Sequence, residues 1–186
     1  SGNMVLGNGI VYMGSGGTNG SYGTTDISGN LDIRGGELNL DQTTSSVNVN
    51  GNVDISAGNL ILSGNSFGGG DLKVRGNWNY TGGTFTPNNR AVFFDGASGD
   101  QTITGTTTFD YLILDKAAGN LLLASPISLN QTLTLTNGKI VLGANDLTLN
   151  NATPGSLSAG SATSYIVTNG AGVLRRSIST LNSGQD

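Results

Sequence analysis

The chain repeats one short pattern of strand, glycine turn and strand. The first copy runs from Gly29 to Leu40 as GNLDIRGGELNL, and the second runs from Gly51 to Leu62 as GNVDISAGNLIL, 22 residues later. Apolar residues recur at every second position in both copies, which is the period of a β-strand with one buried face. Repeats of about 20–50 residues are typical of solenoids, propellers and arrays. Because this unit contains only strands and turns, the sequence predicts a β-solenoid.

The pattern continues with drift along the chain. A third copy occupies residues 76–85, and residues 131–142 read as a further copy that begins on Gln131. A third apolar strand follows each pair, at Val47–Val49, Leu72–Val74, Val92–Phe94 and Leu147–Leu149. About three short strands per coil of 22–27 residues predict an all-β, right-handed parallel β-helix, since crossovers between parallel strands are nearly always right-handed. The crowded apolar runs between Gln101 and Asn130 leave the strand phase open there.

The 186 residues form one predicted domain, expected to be part of a longer chain. Residues 1–26 are expected to be an irregular N-terminal edge of the solenoid, and residues 27–176 its coils. Residues 177–186 are expected to be a tail or the start of a further coil. The glycine-rich run Gly14–Gly20 is not followed by Gly-Lys-Ser/Thr, so it predicts a surface loop rather than a phosphate site.

Composition argues against several classes of function. The chain has no cysteine and no histidine, so the commonest metal ligands and the commonest general base are missing. Only 11% of residues are charged and the net charge is −4, which disfavours a nucleic-acid partner. The sequence contains no run of about 18 apolar residues, so it predicts no membrane span. The sequence therefore predicts no enzyme activity, no cofactor, and no catalytic, cofactor-binding or metal site.

Two matching carboxylates are the first candidates for a functional site. Asp32 and Asp54 occupy equivalent outward positions, followed in the same column by Asn79 and Thr134. Stacked carboxylates could bind Ca²⁺ or act as an acid and base, as in β-helical polysaccharide lyases and hydrolases. No second acidic or basic residue repeats beside them, so a solvated face is the favoured interpretation.

The remaining candidates also have an ordinary structural interpretation. Trp78 falls at the inward position of Leu31 and Val53, so we expect it in the core rather than on a ligand platform. The basic pairs could bind an acidic sugar. The threonine pairs resemble the flat faces of ice-binding solenoids. The Asn-x-Ser/Thr sequons are frequent enough to arise by chance. Solvated surface and ordinary outward strand positions are the favoured interpretations. These residues are Lys73 and Arg75, Arg175 and Arg176, Thr102, Thr104, Thr132, Thr134, Thr136 and Thr148, and the sequons at Asn19, Asn79, Asn130 and Asn151.

Three phrases carry a family resemblance. Residues 99–112 (GDQTITGTTTFDYL), 133–140 (LTLTNGKI) and 164–172 (SYIVTNGAG) resemble phrases of large repetitive surface proteins of Bacteroidota-type bacteria. The resemblance covers roughly residues 76–176. It implies export by the type 9 secretion machinery and an adhesin-like β-helix. The family has no common active site, so the resemblance implies no site residues. The C-terminal sorting domain usual in that family is not found in this sequence.

The expected function is that of a non-catalytic extracellular structural or adhesive β-helix, part of a surface protein or fibre. Its expected location is extracellular or the outer cell surface. The expected partners are neighbouring coils of a longer parent or other copies placed end to end, with surface glycans as a further class. The alternatives are a carbohydrate-binding or polysaccharide-degrading β-helix and, less favoured, an ice-binding solenoid.

Overall fold

The computed structural model describes residues 2–14, 25–42, 45–64 and 69–178. These residues form β-strands and no helix. The strands are β1 Met4–Leu6, β2 Ile10–Gly14, β3 Thr25–Ile27, β4 Leu31–Gln42, β5 Val47–Val49, β6 Val53–Ile61, β7 Leu72–Val74, β8 Trp78–Tyr80, β9 Thr84–Thr86, β10 Ala91–Phe94, β11 Gln101–Thr104, β12 Thr107–Leu123, β13 Ile127–Val141, β14 Leu147–Leu149, β15 Ser164–Val167 and β16 Leu174–Arg176.

All strand pairs are parallel and stack into three ladders. The first ladder runs through β1, β4, β6, β8, β11, β12, β13 and β15. The second contains β2 with later segments of β4 and β6, then β9, and it includes β12, β13, β14 and β16 towards the C-terminus. The third joins β3, β5, β7, β10, β12 and β13. The predicted all-β parallel solenoid is confirmed, while its right-handed winding stays a prediction.

Alternation along each strand builds one continuous core inside the coils. Leu31, Val53 and Trp78 are in register in the first ladder and fully buried, as the repeat predicts. Ile33 and Ile55 lie beside them and are equally buried, and Tyr80 packs partly buried against the core. A one-residue slip would expose this whole column, so the register is strongly specified.

Coil length is more variable than the sequence indicates. Hydrogen bonds between equivalent residues span 27 residues in the first coil and then 22 and 25. They span only 20 residues from Asp100 to Asn120 and from Asn130 to Asn150. The predicted range of 22–27 residues is therefore too narrow at its lower end. Short corners explain the difference, since β12 and β13 each pass through all three ladders without interruption.

These short coils also overturn the assignment of residues 131–142 as a copy of residues 76–85. Leu133 pairs with Leu112 and Leu157 in the third ladder, whereas Trp78 belongs to the first. The residue that follows Asn79 in its column is Thr104, and Thr134 instead pairs with Ile113. Both sequences have the same period of two, so the apolar pattern alone could not distinguish one ladder from another.

The repeated Gly-Asn pair has a structural explanation at the corner before the first ladder. The backbone N–H of Asn52 donates to Asn30 Oδ1 at 2.9 Å, and that of Asn77 donates to Asn52 Oδ1 at 2.8 Å. The neighbouring Gly51 lies so close to Asn30 Oδ1 that a Cβ atom would overlap it. Each asparagine therefore caps the next coil, and only glycine leaves room for its side chain.

Candidate functional site

The carboxylates of Asp32 and Asp54 lie side by side on the outside of the first ladder, as predicted. Each is held by a neighbour rather than facing the other across an open site. Arg34 Nε donates to Asp32 Oδ2 at 2.8 Å, and this pairing raises the pKa of Arg34. Asn79 Nδ2 donates to Asp54 Oδ1 at 2.6 Å. These contacts agree with a structural surface column, in which an amide of the next coil satisfies a carboxylate.

The same carboxylate and amide pairing recurs on other outward columns. Asn48 donates to Asp26 at 2.6 Å, Asn137 to Asp115 at 2.7 Å and Asn130 to Asp110 at 3.0 Å. Asp110 also accepts the backbone N–H of Asn89 at 2.6 Å. Among the described residues, no group of three or more carboxylate, histidine or cysteine side chains could hold a metal ion. The repeated pairing links successive coils through their side chains.

Both predicted basic pairs are engaged within the solenoid. Lys73 Nζ lies 5.4 Å from the ring centre of Phe93, and Arg75 contacts Asn50 Oδ1 and lies 3.8 Å from Asp95 Oδ1. At the C-terminal end, Arg175 Nε donates to Asp146 Oδ2 at 2.9 Å.

The second residue of that C-terminal pair binds the backbone. Arg176 donates to the carbonyl of Thr153 at 2.9 Å. Hydrogen bonds from the Val173 N–H and from Arg175 lower the pKa of Asp146. Each pair therefore bridges two coils instead of forming an open anion site.

The threonine pairs do not line up into one lattice. Thr102 is opposite Leu122, Thr104 is opposite Asn79, and Thr132 is opposite Tyr111. Thr148 lies between Ser128 and Arg175. Because their neighbours along the ladders are other residue types, these threonines offer no repeated flat threonine surface.

Two sequon asparagines bind carboxylates, at Asn79 and Asn130, and Asn151 accepts the N–H of Thr153 at 2.9 Å. Asn19 and nearly all of the Gly14–Gly20 loop lie outside the described residues.

Trp78 forms the centre of a buried aromatic cluster, which confirms its predicted core position. Its ring packs edge-on against Phe85 at 4.9 Å and Phe109 at 5.3 Å between centroids. Its Nε1–H donates to Thr107 Oγ1 at 3.1 Å. The indole is fully buried and satisfied, so it cannot serve as a ligand platform.

Large apolar side chains are exposed at the two ends of the solenoid. In the described part of the chain, every exposed large hydrophobic residue lies within residues 5–12 or 165–178. The N-terminal set is Val5, Ile10 and Tyr12, and the C-terminal set is Tyr165, Val173, Leu174 and Ile178. Val5 and Ile10 stand in columns that Asp32 and Glu37 occupy one coil later. These two columns therefore become acidic in the second coil, whereas both end coils present exposed apolar surface.

One lateral surface is less polar than the rest. Phe93, Tyr111 and Ile113 are half-buried on the outside of the third ladder, where Phe93 and Ile113 are in register. Lys73 covers one side of the Phe93 ring, and Thr132 and Thr134 continue the surface on β13. We call these residues the third-ladder face.

A buried polar cluster was missed by the sequence analysis. Lys116 and Gln101 are 2% and 1% exposed, and Lys116 Nζ donates to Gln101 Oε1 at 3.1 Å and to the Gly96 carbonyl at 3.0 Å. Burial lowers the pKa of Lys116, against the opposing fields of Asp100 and Asp95. The alternation of Leu112, Leu114 and Lys116 places this lysine at an inward position, so the sequence did contain a pattern that predicts its burial.

Comparison of the chain with family models, with curated proteins and with solved structures finds no match. The described residues contain no helix long and apolar enough to cross a membrane. The fold defines the chain as a parallel β-solenoid, and the resemblance to Bacteroidota-type surface proteins stays a prediction.

Proposed function

We propose that this chain is a non-catalytic structural element of an extracellular or outer-surface protein, and that it is extended at its ends by further β-structure. In the native setting the added β-structure would be coils of a longer parent, and for the isolated chain it would be a second copy. The proposal rests on the exposed large hydrophobic residues, which in the described part of the chain occur only in the two end coils. Solenoid repeats contact only their neighbours, so an end coil lacks half of its burial.

The backbone of the end coils supports the same proposal. β1 pairs only with β4, and β16 pairs only with β14, so each leaves one side of the strand without a partner among the described strands. Such edges bind further strands unless charge, proline or a bulge blocks them. The N-terminal coil carries the apolar Val5 and Ile10 at the positions where the next coil has acidic residues. Apolar surface and open hydrogen-bonding groups therefore coincide there.

The experiment compares self-association of the chain with that of an end variant. We expect concentration-dependent association by light scattering and sedimentation velocity, with end-to-end rods in electron micrographs. Ile10→Lys should weaken it, because a buried lysine at a joint would lose its hydration. Thr134→Lys on a middle coil is the matched control and should associate like the parent chain. A monomer at high concentration, with slow amide exchange in both end coils, would contradict the proposal.

The same preparation distinguishes the alternative functions. A glycan that stacks on the third-ladder face should bind less well to Phe93→Ala than to the parent chain. Polysaccharide turnover that Asp54→Asn or Asp110→Asn abolishes would instead identify an enzyme. In our proposal both carboxylates are structural, and each accepts a hydrogen bond from an asparagine amide of the next coil.

A further inference from the structure

The buried contact between Lys116 and Gln101 brings an amine against a carboxamide. Gln101 Oε1 accepts the Gly96 backbone N–H at 3.0 Å as well as Lys116 Nζ at 3.1 Å. Gln101 Nε2 donates to the Val74 carbonyl at 2.9 Å and also contacts the Gly76 carbonyl. Lys116 lies in the same coil as Gln101, whereas Val74 and Gly76 belong to the coil before it. The amide is therefore fixed in one orientation, with its carbonyl polarised by two donors.

We propose that Lys116 and Gln101 form an intramolecular isopeptide bond, which cross-links the inside of one coil. The bond forms between Lys116 Nζ and Gln101 Cδ, and the bond between Cδ and Nε2 breaks. One proton of the lysine ammonium stays on the new amide nitrogen and two leave with Nε2 as an ammonium ion. Nothing is oxidised or reduced, and no co-reactant is needed.

The surroundings supply what such an acyl transfer requires. Nucleophilic attack needs the neutral amine, and burial favours that form of Lys116. Developing charge on Oε1 would be stabilised by the Gly96 N–H, as in an oxyanion hole. The two carbonyls at Nε2 are acceptors suited to a departing group that gains protons. A cleft lined in part by Lys116 and Gly138 adjoins the lysine and offers ammonia an exit.

Mass spectrometry of the purified chain tests the bond directly. The intact chain should be lighter than its sequence by the mass of one ammonia molecule. Trypsin acting on denatured chain should fail to cleave after Lys116 and should release residues 91–139 as one looped peptide. This second readout is needed because succinimide formation at Asn-Gly pairs also releases ammonia. Full sequence mass together with normal cleavage after Lys116 would overturn the proposal.

Two variants sharpen the result. Lys116→Arg keeps a cation but removes the nucleophile, and should restore the mass expected from its sequence. Lys139→Arg is the matched control on β13, and should keep the cross-link. If Lys116→Arg does not fold, the peptide map of the parent chain still decides.

Discussion

Single residues at the corners hold successive coils together. The side chains of Asn3, Asn30, Asn52 and Asn77 each accept a backbone N–H of the next coil, at 2.8–2.9 Å. Buried donors without a partner cost about 1–3 kcal/mol, so each of these asparagines stabilises more than its own coil. Gly29, Gly51 and Gly76, which precede the last three of these asparagines, are required by the close approach of two coils rather than by an unusual backbone angle.

Substitutions at one corner should separate these two effects. We expect Asn52→Ala to lower the free energy of unfolding by about 1–3 kcal/mol, because the Asn77 N–H loses its acceptor. Gly51→Ala should cost a similar amount, about 1–3 kcal/mol, through overlap with Asn30. Urea unfolding followed by circular dichroism measures both. Thr134→Ala on an outward strand position is the control, and an equally large loss there would contradict the corner interpretation.

At the scale of elements, an ion pair between Arg175 and Asp146 joins the last described strand to the coil before it. β16 pairs with β14, and its residues 174–176 are all exposed, so little apolar burial stabilises them. Asp146 joins the two coils by accepting from the Val173 N–H at 3.0 Å and from Arg175 at 2.9 Å. The charge of this one carboxylate therefore adds to the backbone hydrogen bonds that hold β16 against β14.

Acid should release β16 before the rest of the solenoid. The pKa of Asp146 is lowered in the folded chain from its ordinary 3.8, so the native state binds fewer protons than the unfolded state near that value. This stabilisation is present above the unfolded pKa and is lost as the pH falls through the folded one. Amide exchange of Val173 and Ser177, whose N–H groups bond to Asp146 and to the Leu149 carbonyl, should be less protected at about pH 2.5 than at about pH 6, after correction for the intrinsic rate. Asp146→Asn is the control, and it should show weak protection with little pH dependence.

At the scale of the whole molecule, stability is expected to be one-dimensional. Each coil buries its apolar face against its two neighbours, so a defect should spread first to adjacent coils. The aromatic cluster of Trp78, Phe85, Phe94 and Phe109 lies in the middle of the stack and joins two successive coils. It is the natural place to test how far one coil supports the others.

Removal of the central indole tests that coupling. Trp78→Ala should lower the free energy of unfolding by about 3–5 kcal/mol, since it empties a fully buried site. Hydrogen exchange should quicken first in residues 53–55 and 103–104, which pair directly with β8. Residues 147–149 are the distant control and should remain protected longest. Equal loss of protection in all coils would instead indicate a single all-or-none unit.

The amino-acid sequence by itself determined which residues face inward and that the coils stack in parallel. Leu31, Val53 and Trp78 were predicted as one buried column because a period of two separates the faces of any strand. Only the tertiary structure decided which ladder each strand joins between residues 101 and 149, since β12 and β13 turn their corners with few turn residues to mark them. It also decided the contact of Lys116 with Gln101 and the position of Thr104, rather than Thr134, after Asn79 in its column. These contacts join residues from different strands, and their partners depend on coil length, which a local pattern does not encode.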